Sequence, residues 1–159
     1  MDDRQFRNAM GKFATGVTVI ATEVDGGVHG MTANAFMSVS LNPKLVVISL
    51  AEKAQMLEKI KKSKTFSVNI LSDDQRELSM IFAGQLKEHE EVVFERLDGK
   101  PVIPSAVAQI ACKVSGEYVE GDHTLIIGKV TDIHLEESDP LIFYSGRYRS
   151  LSEGQPATL

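Results

Sequence analysis

Two long alternating runs, residues 106–119 (AVAQIACKVSGEYV) and 124–135 (TLIIGKVTDIHL), are separated only by Glu120-Gly121-Asp122-His123. A period of two on both sides of a short glycine-containing link predicts an antiparallel hairpin. A lone hairpin of that length cannot bury its apolar face, so the rest of the chain has to supply more strands.

It does. Val17 to Glu23 (VTVIATE) is β-branched and stops at Asp25-Gly26-Gly27, a turn that tolerates positive φ, and a return strand starts at Val28. Leu45 to Leu50 (LVVISL) reads as a fully buried strand after the break at Asn42-Pro43, Phe66 to Leu71 (FSVNIL) alternates, and Leu141 to Tyr144 adds a last strand. Helices are few and short. Asp2 and Gln5 are spaced as a capping box ahead of Phe6, Met10 and Phe13. Residues 51–62 place Met56, Leu57 and Ile60 on one face, and Ser72 with Gln75 caps a helix that carries Leu78, Ile81 and Phe82 before Gly84. Residues 85–105, with two prolines and the charged KEHEE, read as an ordered excursion. About six or seven strands with hairpin-like links predict a mainly β, antiparallel barrel with short helices.

Composition narrows the function. The chain has 159 residues, enough for one domain with a sizeable core, and no internal repeat or linker divides it. Its 17 Lys and Arg against 22 Asp and Glu give a net charge of −5, which offers no general attraction to nucleic acid. No apolar run approaches the roughly 18 residues a membrane span needs. The single Cys112 cannot form an internal disulfide, and the start at Met1-Asp2-Asp3-Arg4 lacks the features of a secretory leader, so a soluble cytoplasmic protein is expected. Aromatic residues make up only 6% and Trp is absent, so a barrel of this size is expected to lean on a partner copy.

The usual catalytic motifs, GxSxG, the P-loop, HExxH and GxGxxG, are missing, and GKFATG (Gly11 to Gly16) is a helix stop. His29, His89, His123 and His134 are scattered, so no metal site is expected, and Cys112 alternates with Ile110 and Val114 as an inert core thiol. Three candidates remain. Met31 to Leu41 (MTANAFMSVSL) has no steady period, and its Thr32, Asn34, Ser38 and Ser40 stand among small residues. Such a ledge suits the polar edge of a flat heterocycle, and its plainer reading is a solvent-facing edge strand. Ser49 and Lys53 flank an expected helix start near Ala51, a simple phosphate receptor or a solvated face. His123 would project at a rim.

The segments FATGVTVIAT, HGMTANAFMSVSL, FSVNIL with a capped helix ending FAG, GDHTLIIGKV and PLIFYSGRY occur in that order. Together they resemble the short-chain flavin reductases that serve two-component aromatic monooxygenases of the phenol and 4-hydroxyphenylacetate hydroxylase type. The resemblance spans residues 1–151, with 152–159 left as a disordered tail. It implies a split β-barrel of the Greek-key, FMN-binding kind, a homodimer, and NADH-dependent (or NADPH-dependent) reduction of FAD or FMN for a separate oxygenase. Carried residue by residue, it places the isoalloxazine along Thr32, Ala33, Asn34, Ala35, Ser38, Val39 and Ser40, and the ribityl and phosphate groups at Ser49, Lys53 and Met56. His123 would position the nicotinamide, Phe82 and Ala83 would contribute to the flavin environment near the dimer contact, and Tyr144 and Tyr148 would lie near the pocket. Asn42-Pro43-Lys44 departs from a commoner Pro-Pro. Two other readings are a flavoredoxin-like electron carrier and a flavin-binding protein without turnover.

Overall fold

The computed structural model describes residues 1–152 and 154. Helix α1 (Asp3–Met10) leads to a short strand β1 (Thr15–Gly16), then β2 (Thr18–Val24), β3 (Gly27–Ala33), β4 (Phe36–Leu41) and β5 (Lys44–Ala51). Helix α2 (Gln55–Ser63) and β6 (Thr65–Ile70) follow, and a 3-10 turn at Asp73–Gln75 opens α3 (Arg76–Phe82). The chain ends with the small hairpin β7 (Glu95–Leu97) and β8 (Lys100–Val102), the long pair β9 (Ala108–Glu120) and β10 (His123–Leu135), and β11 (Ile142–Tyr144) with β12 (Arg147–Arg149).

The long hairpin is the spine. β9 and β10 pair from Glu120 and His123 to Ala108 and Leu135, with register shifts after Ile127 and after Val130. Seven strands join in the order β3-β2-β6-β9-β10-β5-β4, each neighbour antiparallel to the next. β3 and β4 are thus the opposite edges, yet only Asn34 and Ala35 lie between them in sequence. Two residues hold the facing strand ends within roughly 10 Å, so the sheet must curl until its edges meet without pairing. This is the split barrel, with its slit at Asn34-Ala35.

Inside the curl lie Ile20, Ile48, Leu50, Phe66, Val68, Cys112 and Ile126, closed by Met56, Leu57 and Ile60 of α2. Phe66 is fully buried, worth about 1.5–3 kcal/mol. Its ring takes the space beside Gly128, where a Cβ would lie 2.5 Å from the ring tip. A second core, Val17, Val19, Leu71, Ile103, Ala106 and Leu141, lies on the other face of β2, where Leu78 and Phe82 pack on it from α3. Asn69 ties the two regions: its amide donates to Val19 O and Ser67 Oγ, and its Oδ1 accepts from Ile103 N–H. The excursion after α3 is ordered, its β7–β8 turn formed by Asp98 and Gly99 at positive φ.

Four expectations are corrected. The helix expected from Ala51 begins at Gln55, because Ala51 still pairs with His123 and Glu52 N–H bonds Asp122 O; residues 52–54 form a turn. Leu45 to Leu50 is not buried on both faces: only Val46, Ile48 and Leu50 enter the core. Thr32 to Ser40 is no single ledge but parts of β3 and β4 at opposite sheet edges. Finally, β1 and β12 were not foreseen; they flank β11 in a separate three-stranded sheet. The tail expected over 152–159 lies outside the described residues, apart from Ser152 and Gly154.

Candidate active site

The alternation of β5 decides where a ligand can sit. Val46, Ile48 and Leu50 point into the barrel, so Val47, Ser49 and Ala51 must face outward. Cross-strand partners share a face, and Ser49 is opposite Leu125 while Ala51 is opposite His123. The outer surface of β5 and β10 therefore carries Ser49, Leu125, Ala51 and His123 as one ladder.

Over the Ser49–Leu125 end of this ladder opens a cavity of about 720 Å³. Val47, Ser49 and Leu125 line it from the sheet, Asn34, Ala35, Phe36 and Met37 come from the slit and β4, and residues 13–16 form an arm across it. The arm is fixed because Thr15 and Gly16 pair with Phe143 and Ile142 of β11. The walls are mainly apolar, with Thr15, Thr18, Asn34 and Ser49 as polar exceptions. Thr15 Oγ1 is buried and has no hydrogen-bond partner among the described residues, an unusual state for a hydroxyl. The hydroxyl of Thr18, another lining residue, is already committed to Ala33 O at 2.7 Å.

Of the residues expected to hold a ligand, Asn34, Ala35 and Ser49 line this cavity. His123 extends the same face beyond Leu125. Its Nδ1 lies 2.8 Å from Asp122 Oδ1, which leaves Nε2 to a ligand, and the contact holds the Asp122 carboxyl below its usual range. Lys53 is exposed in the turn after β5 rather than on a helix. Ala33 packs against the barrel core.

The remaining expected residues lie elsewhere. A bulge between Ser38 and Ser40 places Ser38 opposite Val46 and Ser40 opposite Leu45, so the two hydroxyls face opposite sides, and Val39 is the extra residue. Thr32 Oγ1 donates to Ser79 O, and Ser79 Oγ meets Tyr148 OH at 2.7 Å, so Thr32 and Tyr148 converge on α3. Phe82 packs in the second core beside Phe94, with Ala83 exposed at the helix end. Met56 is a core residue of α2. Tyr144, on β11, has Lys12 Nζ 5.9 Å from its ring centre.

Sequence reasoning missed the arm at Phe13 to Gly16, which it read as a helix stop. A signal existed: FATG is followed by a β-branched run, so the segment connects two elements and need not be free. Cys112 is inert as expected, its thiol pushed up to about 12 by burial. Among the described residues no three His, Cys, Asp or Glu side chains gather as a metal would need.

Known proteins bear on this geometry. The flavin reductase like domain matches residues 10–152. An NADH-dependent flavin reductase from a Rhodococcus species is 43% identical over 91% of this chain and 84% of its own length. The reductase component of 4-hydroxyphenylacetate 3-monooxygenase from Thermus thermophilus is 37% identical over 92% of this chain and 95% of its own. The solved structure of the flavin reductase PheA2 in its native state superposes with a TM-score of 0.95 at 67% identity, covering 96% of this chain and all of the other.

Proposed function

The chain belongs to the flavin reductase-like family, and on that premise we propose that it transfers hydride from NADH to FAD or FMN in the outer-face cavity. The reduced flavin would serve a separate monooxygenase, as the likeness to a monooxygenase reductase component supports. The observation that carries the reading is the cavity itself. Its volume of about 720 Å³ is in the range of small-molecule sites, and a few polar groups interrupt apolar walls.

The residues fit a flavin ring. Phe13, Phe36, Met37 and Leu125 offer apolar contact to a flat tricycle, while Asn34 and Ser49 supply an amide and a hydroxyl for its polar edge. Thr15 adds a buried hydroxyl that lacks a partner among the described residues. A bound flavin supplies the hydride-accepting centre. The protein's part would be positioning: the arm and β4 would wall one side of the ring, and the β5–β10 face would support the other. His123 stands at the open end of that face, held through Nδ1 by Asp122, and orients the nicotinamide. Hydride transfer asks for no acid or base from the protein, and none is assigned.

We place the protein in the cytoplasm as a homodimer. Cys112 is a free buried thiol, and among the described residues no helix is long and apolar enough to cross a membrane. At the β4 edge Met37 is 59%, Val39 46% and Leu41 88% exposed, an apolar margin that a second copy would cover. The test is direct: NADH mixed with the protein and free FAD or FMN should lose its reduced-nicotinamide absorbance at a protein-dependent rate. A flat trace with both flavins refutes the reductase reading.

A further inference from the structure

Two walls of the cavity are tied to one residue that does not line it. Ser79 of α3 is 1% exposed. Its Oγ lies 2.7 Å from Tyr148 OH, and its carbonyl oxygen accepts from Thr32 Oγ1 at 2.7 Å. Thr32 stands on β3 just before Asn34, the cavity residue at the slit. Tyr148 is opposite Phe143, and Phe143 is opposite Thr15, so one cross-strand row runs from the arm through β11 to β12 and ends on Ser79.

The tie matters because the arm inherits its place from that row. The β1-β11-β12 sheet is separate from the barrel sheet. Backbone bonds fasten its inner end, where Leu71 N–H donates to Val17 O and Leu141 N–H to Leu71 O, and Ser145 N–H holds the β11–β12 turn to Gly11 O. The outer strand β12 pairs only with β11 among the described residues, and Tyr148 anchors it. The ring of Tyr148 packs edge-on against Phe143 and lies 4.9 Å from the Arg76 guanidinium, while its hydroxyl reaches Ser79. Ring packing tolerates sliding, whereas a hydrogen bond to a buried hydroxyl fixes both distance and direction.

We propose that Ser79 is a positioning residue for the reaction: bonded to Tyr148 on one side and Thr32 on the other, it sets the spacing between the arm and the slit and so the width open to a flat ring. The proposal rests on the flavin reductase reading. Ser79 acts through its two neighbours and has no place on the cavity wall. Releasing Tyr148 leaves the arm to sample other heights above the β5–β10 face, and a ligand then has to select the competent one. The loss falls on ring affinity rather than on the chemical step.

The experiment compares wild type with Tyr148→Phe, Ser79→Ala and the two combined. Dissociation constants for FMN and FAD should rise roughly three- to tenfold in each single variant, the size expected for one neutral hydrogen bond, with kcat at saturating flavin changing less. The combined variant should be no worse than either single one, because both remove the same bond. In the flavin-free protein the amides of Thr15 and Gly16 should exchange hydrogen faster in the variants, while those of Val68 and Ile126 in the barrel keep their rates. Unchanged flavin affinity or unchanged arm exchange overturns the proposal. So does faster exchange throughout the barrel with a lowered Tm, which marks a purely structural bond. A wild type that binds neither flavin removes the reductase reading and this role with it, and the exchange data, which need no flavin, tell that failure from a failure of the tie.

Discussion

Ser49 and Leu125 face each other across the β5–β10 ladder, and the next outward pair is Ala51 and His123. A flavin ring seated over the first pair therefore has the histidine at its open margin. Replacing His123 with Ala should raise the KM for NADH by roughly five- to tenfold while changing flavin affinity less. Steady-state kinetics separate the two effects, and unchanged constants take the histidine out of the site.

Gly30 of β3 lies under the Phe82 ring, where a Cβ would come within 2.6 Å of two ring carbons. The ring is wedged against Phe94 and the second core, so it has little room to retreat. Gly30→Ala should cost about 1–3 kcal/mol in chemical denaturation, the usual range for overpacking. Adding Phe82→Leu should restore part of that loss. If Gly30→Ala is neutral, the contact is softer than drawn.

The unpartnered hydroxyl of Thr15 gives a prediction of opposite sign. With no hydrogen bond to lose, Thr15→Val should stabilise the flavin-free protein by about 1 kcal/mol, read as a higher Tm. A drop of similar size would mean that the hydroxyl has a partner within the protein.

Asp122 is depressed by its hydrogen bond and charge interaction with His123. Because its folded pKa is lowered, the pairing contributes stability above the ordinary carboxylate range and loses it as pH falls through the lowered value. The group is exposed, so the effect on overall stability is small. NMR titration should find the Asp122 carboxyl below the ordinary range in the wild type and back near it in His123→Ala. An unmoved titration contradicts the contact.

The parts of this architecture that follow from local pattern were legible in the sequence. The long hairpin, the Asp2 cap and the Ser72-Gln75 capping box depend on neighbours a few residues apart, and each formed as read. The inward positions of β5 were read correctly, but its outward positions were not. Val47 is as apolar as Val46, so the letters alone give no sign that one face is a cavity wall.

The segment from Thr32 to Ser40 is divided between two strands for two non-local reasons. The curl of the sheet puts β3 and β4 at opposite edges, and a bulge reverses the faces of Ser38 and Ser40. Neither leaves a trace in composition or period. Asn34 and Ser49 were picked out from residue type, and the arm at Phe13 to Gly16 was missed because it reaches the site only through its pairing with β11.

The most direct measurement is a crystal structure of the protein soaked with FAD. The account predicts density for the isoalloxazine between the Phe13 to Gly16 arm and the outer face of β5 and β10, within hydrogen-bonding reach of Asn34 or Ser49. A flavin ring bound anywhere else, with that cavity filled by solvent or by the protein's own side chains, would contradict it.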